Sequence, residues 1–433
     1  MRKFVLAAAL VGLALAEGAY AATFVYSYKN RGEKTWHVCI GALEGGKLVS
    51  REAFASQVRM YYQFIGAAGD NVVLSRYGEN IAERLNVKTM KRGVIASDFL
   101  RAVSVTPREI VYLAAAPEED VPGVGGVLTR RAFAEPAPQV ISPQPIIHQL
   151  PFPAAYSADR PVSTFWGIFH IAGKPVLGAI DITEEKPAGG KPATTVGKFR
   201  RIAPVPDDLL SADVSPDGGS VAVGAGGAPA AAGADNALLC RVEIIDIASG
   251  KSRVVAEGLR QRVPANSGVG PRFSVVFAGS GHVLYPETVV SGKGEIMGQR
   301  LMVLDLSSGA AAEVASISDR TRIVNAIPVR TPDGDIKWGE YTIDPQSRRV
   351  RPVSGGGDRG YVIRNGRQLN VGGRPVGYVS PGPQVWTSGG TVAFVGSLEE
   401  TGPQGLYVLG PGMDHPARVN PEGSAVQTFG FLD

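Results

Sequence analysis

Residues 214–223 read V-S-P-D-G-G-S-V-A-V, a tight turn followed at once by the start of a strand. Pro216 presets φ at the first corner of the turn, Asp217 has a carboxylate that can bond nearby amides, and Gly218 tolerates positive φ. A second strand run, V-E-I-I-D-I, occupies residues 242–247 and is answered after a Ser-Gly-Lys turn by S-R-V-V. Together with the strand before the first turn, this pattern predicts four short antiparallel strands.

Weaker copies of the phrase recur along the chain. The first turn and its strand return at residues 277–285, 331–338, 386–394 and, in degenerate form, 105–112. The second strand returns at residues 301–309, 340–345 and 405–410, and I-D-I-A-S-G at 245–250 is nearly repeated as L-D-L-S-S-G at 304–309.

Units of roughly 40 to 60 residues that repeat as four-stranded meanders are typical of a β-propeller. We therefore expect an all-β fold, a β-propeller of about seven four-stranded blades with six or eight as alternatives. Residues 22–433 are expected to form a single propeller domain, with the clearest repeats in 210–419. One or two β-sandwiches are the other architecture that such strands allow.

The Ser-Pro-Asp-Gly turn, the valine-rich strand after it and the Ile-Asp-Ile-x-Ser-Gly strand end resemble the blades of TolB-type propellers and their WD-repeat relatives. The resemblance covers residues 210–419 and extends loosely into the first half. It implies the fold but no activity, because such turns are structural and occur in proteins of many functions.

The first 21 residues have the pattern of a secretory signal peptide. Arg2 and Lys3 precede an apolar run at residues 4–15, and Ala19-Tyr20-Ala21 is a small-x-small cleavage site, so we expect cleavage after Ala21. The apolar run is shorter than the roughly 20 residues that a membrane span needs, and a retained N-terminal anchor is the alternative. The prediction is a periplasmic or secreted protein of a bacterial-type cell envelope, not membrane-spanning.

The net charge argues against one class of partner, and the two cysteines argue against a disulfide and a zinc site. The chain has 44 Lys and Arg against 40 Asp and Glu, and loss of residues 1–21, with two bases and one acid, lowers the net charge from +4 to +3. Such a small net charge argues against a nucleic-acid partner. Cys39 and Cys240 both lie in apolar strand runs, so two buried free thiols are favoured over a disulfide, and their spacing does not suit zinc.

The long insertions fall between the second and third strands of the predicted blades, at residues 117–126, 224–236, 286–299 and 396–404. In a propeller these loops emerge on the same face as the connections between blades, and long loops on one face of a rigid scaffold are common binding sites. Neutral drift of surface loops is the alternative. We predict that a protein or peptide partner docks on this face, at the acidic residues Glu118, Glu119, Asp120, Glu287, Glu399 and Glu400.

Motifs of catalysis are missing from the sequence. It contains no Gly-x-Ser-x-Gly elbow, no His-Glu-x-x-His, no complete phosphate loop and no dinucleotide fingerprint. The five histidines are scattered, and Asp246 and Asp305, at equivalent positions, are interpreted as caps of their Ser-Gly turns rather than channel acids. We predict no catalytic residue, no metal ligand and no cofactor.

The resulting hypothesis is an exported, non-catalytic propeller that acts as a protein-binding or scaffold module. The first alternative is a metal-dependent hydrolase or lactonase, or a lyase, with acids and histidines gathered at the central channel. The second is a carbohydrate-binding surface protein that uses Trp166, Trp338 or Trp386 as stacking platforms. A short helical turn is also predicted around residues 80–85.

Overall fold

The structure is a computed structural model that describes residues 22–115, 126–135, 137–150, 163–185, 194–229, 237–262, 273–291, 296–317, 327–330, 335–339, 341–344, 347–352, 361–364, 367–379 and 384–432. The predicted signal peptide lies outside these residues. Every regular element within the described residues is a β-strand. These residues contain no helix that is long and apolar enough to cross a bilayer. The chain forms two compact units, residues 1–99, 105–107 and 354–433 in unit 1, and residues 100–104 and 108–353 in unit 2.

Unit 1 contains fifteen of the described strands. They are β1 (Thr23–Lys29), β2 (Thr35–Glu44), β3 (Lys47–Gln57), β4 (Tyr62–Ala68), β5 (Asn71–Arg76), β6 (Ile81–Asn86), β7 (Arg92–Ala96), β28 (Tyr361–Arg364), β29 (Gln368–Val371), β30 (Arg374–Val379), β31 (Val385–Ser388), β32 (Thr391–Ser397), β33 (Gly405–Leu409), β34 (Ala417–Arg418) and β35 (Ala425–Phe431). Two sheets have four strands, in the orders β4-β5-β6-β7 and β3-β2-β1-β35. The third joins β28-β29-β30 to β32-β33-β34, with β31 paired to β32.

Unit 2 contains the strands that follow β7 and precede β28. They are β8 (Phe99–Val105), β9 (Glu109–Ala114), β10 (Val127–Ala132), β11 (Gln139–Ser142), β12 (Ile146–Gln149), β13 (Thr164–Ile171), β14 (Lys174–Glu185), β15 (Thr194–Pro204), β16 (Leu209–Val214), β17 (Ser220–Pro229), β18 (Ala237–Asp246), β19 (Ser252–Arg262), β20 (Val276–Phe277), β21 (His282–Val290), β22 (Ile296–Asp305), β23 (Ala311–Ile317), β24 (Val329–Arg330), β25 (Ile336–Trp338), β26 (Tyr341–Ile343) and β27 (Val350–Pro352). The end residues of the first of these strands, Phe99 and Val105, belong to unit 1. Successive groups of four form antiparallel meanders.

Hydrophobic side chains fill the space between successive sheets within each unit. In unit 2, Ile168 and Leu177 of one sheet pack with Val221 and Val223 of the next, and all four are fully buried. In unit 1, Val25 and Trp36 pack with Leu74 of the following sheet. A four-stranded sheet buries both of its faces only when another sheet covers each of them, which explains the valine-rich runs in the middle strands.

The predicted fold class, an all-β propeller with four-stranded blades, is confirmed. The described residues hold seven four-stranded sheets and one seven-stranded sheet, and the seven-stranded sheet contains the repeat predicted at residues 386–394 and 405–410. That residues 22–433 form a single domain stays a prediction.

Three local predictions were wrong. Residues 81–86 form strand β6 instead of a helical turn, because they pair with β5 on one side and β7 on the other. The predicted loop at 224–236 is shorter, since β17 continues to Pro229, and so is the one at 286–299, since β21 continues to Val290 and β22 begins at Ile296. In all three places cross-strand pairing extends the ladder through residues whose local sequence resembles a loop or a helix.

Candidate functional site

The aspartates that recur at the strand ends are turn caps, as predicted. Asp246 Oδ1 accepts hydrogen bonds from the Ser249 amide at 2.7 Å and the Ser249 hydroxyl at 2.6 Å. Asp305 Oδ1 accepts the corresponding bonds from Ser307 at 2.8 and 2.6 Å. The serine hydroxyl in each turn lowers the pKa of the carboxyl group that it contacts. Both side chains are therefore engaged locally in their turns.

The predicted partner-binding acids are in three different situations. Glu118, Glu119 and Asp120 lie outside the described residues. Glu287 lies in β21 and not in a loop, and its carboxylate is 3.1 Å from the Arg300 guanidinium across the ladder. Its predicted loop position is therefore wrong.

Glu399 and Glu400 do lie in an exposed loop, residues 398–404, between the second and third strands of their meander. The loop is held by its own backbone, because the Glu399 carbonyl accepts bonds from Ser397 Oγ at 2.5 Å and from the Gly402 amide at 3.1 Å. Among the described residues, neither carboxylate has an ion-pair partner. Their role in binding stays a prediction.

The tryptophans of the carbohydrate alternative lie mostly inside the sheets. Trp338 is fully buried and Trp166 is 8% exposed. Trp386 is partly buried, with its ring centroid 4.9 Å from that of Phe429. A stacking platform for a sugar ring needs an open face, so these side chains are poor candidates for that role.

The histidines and cysteines of the described residues show no arrangement for metal binding: no group of three or more His, Cys, Asp or Glu side chains within them could hold an ion. His37 is instead a bridge between two carboxylates, with Nδ1 2.7 Å from Glu52 and Nε2 3.2 Å from Glu33. Cys39 and Cys240 are buried free thiols. Burial raises the pKa of Cys39 to about 11 and that of Cys240 to about 12, so both stay protonated at neutral pH.

A pocket of about 420 Å³ opens in unit 1 where three chain segments meet. The end of β1 and the β1–β2 loop supply one wall, the β3–β4 connection a second and the β5–β6 turn a third. The lining residues are Lys29, Glu33, Lys34, Gln57, Val58, Arg59, Met60 and Glu79. In the meander β35-β1-β2-β3 the β1–β2 loop joins the second and third strands, as the β5–β6 turn does in the meander β4-β5-β6-β7. The β3–β4 connection joins these two meanders. The pocket therefore lies on the face that was predicted to bind a partner. We call this site the Lys29 pocket.

Hydrogen bonds between and within the segments hold the Lys29 pocket together. The Arg59 amide donates to Glu79 Oε1 at 2.5 Å, which ties the β3–β4 connection to the β5–β6 turn. Asn30 Nδ2 donates to Glu33 Oε2 at 3.1 Å within the β1–β2 loop. The Lys29 pocket could not be predicted from acidic residues in long loops, because its segments are short and its lining has more basic than acidic side chains.

A second charged site lies on the first strands of three meanders in unit 2. Asp213 of β16 accepts a hydrogen bond from the Phe277 amide of β20 at 2.8 Å, and its Oδ2 is 3.2 Å from the guanidinium of Arg330 of β24. The same guanidinium donates to the Phe277 carbonyl at 2.7 Å. Burial raises the pKa of Asp213, although Arg330 and the Phe277 amide oppose that effect. Since both charged groups are engaged by the surrounding strands, the site is structural.

Known proteins resemble this chain only in fold. No protein-family model and no curated protein matches the chain. Among solved structures, TolB from Acinetobacter baumannii is 13% identical over 67% of this chain and 62% of its own length, with a TM-score of 0.30. A puromycin-hydrolyzing peptidase from Mycobacterium tuberculosis is 12% identical over 83% and 53%, with a TM-score of 0.37. An oligogalacturonate lyase in complex with manganese is 11% identical over 77% and 96%, with a TM-score of 0.32.

The chain thus spans less than two thirds of the TolB and peptidase chains. Values this low transfer no activity, ligand or partner. The resemblance to TolB-type propellers that the blade motifs indicated is confirmed as a resemblance in fold alone.

Proposed function

We propose that this chain is an exported, non-catalytic propeller that binds a protein or peptide partner on the face formed by the loops between second and third strands. The observation that supports this most is the Lys29 pocket. In it, two such loops and the connection between their meanders come together around a concave, charged surface. Pockets of roughly 300–1,000 Å³ with a few convergent polar groups are common binding sites.

The exposed loop 398–404 adds a second feature to the same proposal. Glu399 and Glu400 are exposed side by side, on a loop whose backbone is held in one shape by its own hydrogen bonds. A fixed loop that presents charge loses little conformational entropy when a partner binds.

The proposal is tested with the double variant Glu399→Lys/Glu400→Lys. The matched control is Glu44→Lys/Asp414→Lys, which reverses two exposed charges of unit 1 at turns between third and fourth strands, the other ends of the meanders. Immobilised wild-type protein is used to capture partners from the exported fraction of its own cells, and each captured protein is identified and then titrated purified.

We expect the loop variant to weaken binding of the identified partner at least ~10-fold, while the control changes it less than ~2-fold, since charge reversal at an interface costs far more than at a remote surface. Both variants should melt within ~2 °C of wild type, because the substituted side chains are exposed. Equal affinity of all three proteins for every captured partner would contradict the proposed face.

A further inference from the structure

The acidic and basic side chains of the Lys29 pocket differ in whether they already have polar partners. Its two carboxylates are already engaged, Glu33 by Asn30 and His37, and Glu79 by the Arg59 amide and by Arg76 at 3.5 Å. An acidic side chain whose acceptor atoms are occupied attracts a further cation less strongly.

The three cationic heads of the pocket have no such engagement. In the part of the chain that the structure describes, no carboxylate forms an ion pair with the side chain of Lys29, Lys34 or Arg59. Lys29 Nζ instead lies over the Trp36 ring, 5.0 Å from its centroid, which holds this ammonium at the wall of the pocket. Lys34 is exposed on the same wall as Lys29, in the β1–β2 loop, and Arg59 is exposed on the β3–β4 connection. Three cations that converge on a concave surface focus a positive potential there.

Apolar and aromatic side chains lie on the segments that form the pocket. Met60, which lines it, is 47% exposed, and Tyr77, at the start of the β5–β6 turn that supplies Glu79, is 45% exposed. Tyr77 stacks on Tyr61 with ring centroids 4.7 Å apart and planes 9° apart, and its amide donates to the Tyr61 carbonyl at 2.9 Å. Met60 lies over the β5–β6 turn, where a Cβ on Gly78 would be 3.4 Å from its Sδ. Exposed Met and Tyr next to cations are typical of surfaces that bind peptides, because these side chains offer contact area that adapts to a ligand.

We infer that the Lys29 pocket binds an acidic peptide segment of a protein partner, with carboxylates at Lys29, Lys34 and Arg59 and a neighbouring apolar side chain on Met60 and the Tyr61–Tyr77 pair. Charge complementarity selects the acidic residues of the segment, and the apolar side chains favour binding of a peptide over binding of a small inorganic anion. A volume of about 420 Å³ holds a few side chains, not a folded domain. This inference rests on the proposed function and names the chemistry of the partner.

The first experiment measures fluorescence anisotropy of the purified chain with a labelled heptapeptide of glutamates and leucines. We expect the double variant Lys34→Glu/Arg59→Glu to bind it at least ~10-fold more weakly, since each reversal replaces an attraction with a repulsion. The control variant Lys47→Glu/Lys91→Glu reverses two exposed lysines in the same two sheets, at turns between third and fourth strands. It should change the affinity less than ~2-fold. Wild-type affinity should also fall several-fold between 0.05 and 0.5 M NaCl.

The second experiment separates a peptide site from a general anion site. Met60→Gln should lower the affinity for the glutamate–leucine peptide several-fold but leave the affinity for an all-glutamate peptide unchanged. Only the former peptide has apolar side chains that can contact Met60. A peptide with glutamine in place of glutamate should bind at least ~10-fold more weakly than the original.

Several results would overturn the inference: no binding of the glutamate–leucine peptide at millimolar protein, equal affinity of Lys34→Glu/Arg59→Glu and wild type, or displacement by inorganic phosphate with no effect of Met60→Gln. These results leave the capture experiment with Glu399→Lys/Glu400→Lys unaffected. A failure of the peptide site is therefore distinguishable from a failure of the proposed binding face.

Discussion

Asp213 is a carboxylate held inside unit 2, with a side chain only 3% exposed. Its Oδ1 has no hydrogen-bond partner among the described residues, and its Oδ2 depends on Arg330 and the Phe277 amide. A buried ion pair adds little net stability, because the desolvation of both charges offsets their attraction. Loss of one partner is costly, since the other charge then remains buried without compensation.

The variant Arg330→Met should therefore lower the free energy of unfolding by ~3–5 kcal/mol at pH 7. Without the guanidinium, the folded-state pKa of Asp213 rises further above the value of about 3.9 in the unfolded chain. A raised folded-state pKa gives stability that is fully present below the unfolded-state value and is lost as the pH rises through the folded-state value. The deficit relative to wild type should thus be smaller at pH 5 than at pH 7, as measured by urea unfolding.

The control for that experiment is Asp213→Asn/Arg330→Met, which removes both charges. It should recover part of the stability lost in the single variant, because no uncompensated charge remains. A single-variant deficit that is the same at pH 5 and pH 7 would mean that burial of the Asp213 charge is not the cause.

At the scale of elements, the turn at residues 215–220 shows how much local sequence decides. Ser215 Oγ accepts from the Ser220 amide at 2.9 Å and donates to Asp217 Oδ1 at 2.6 Å, which closes the turn. Gly218 has φ of 72°, a left-handed conformation that residues with a Cβ rarely adopt. All of these interactions lie within six residues, so the turn was predictable from its own sequence.

The adjacent glycines of this turn give a matched pair of variants. Gly218→Ala should lower the free energy of unfolding by ~1 kcal/mol, the usual cost of a Cβ in the left-handed region. Gly219→Ala should change it by less than ~0.5 kcal/mol, because its φ is not left-handed and a Cβ there would meet Asp217 at 3.5 Å, an ordinary contact. The two values are compared from urea midpoints at equal slope, and equal losses would contradict the turn geometry.

Strand ends were less predictable than turns. Glu287 was predicted to lie in a loop, within the insertion at residues 286–299, yet it faces Arg300 in a ladder that continues to Val290. The length of a ladder depends on the partner strand, whose register is a tertiary property.

At the scale of the whole chain, the C-terminal strand β35 pairs with the N-terminal strand β1 in unit 1. Phe429 of β35 is 5% exposed, stacks on Phe24 of β1 at 5.2 Å between centroids and contacts Trp386. Its side chain therefore joins strands that are about 400 residues apart in sequence, a separation that brings a large entropic cost of chain closure.

Phe429→Ala should lower the free energy of unfolding by ~3–5 kcal/mol, because it removes a buried ring and leaves a cavity between these strands. Gln427→Ala, at an exposed position of the same strand, should change it by less than ~0.5 kcal/mol. Both are measured by urea unfolding. A small effect of Phe429→Ala would show that β35 is not needed to hold its sheet together.

The sequence by itself determined the all-β class, the turn caps at Asp246 and Asp305 and the four-stranded repeat. These depend on interactions between residues close together in the chain, which local patterns record. Only the tertiary structure decided the pairing of β1 with β35, the Asp213–Arg330 pair and the Lys29 pocket. Each of these joins segments whose separation along the chain carries no information about their distance in space. A sequence read in order can identify a repeat, but contacts between its copies arise only when the strands are paired and the sheets are packed.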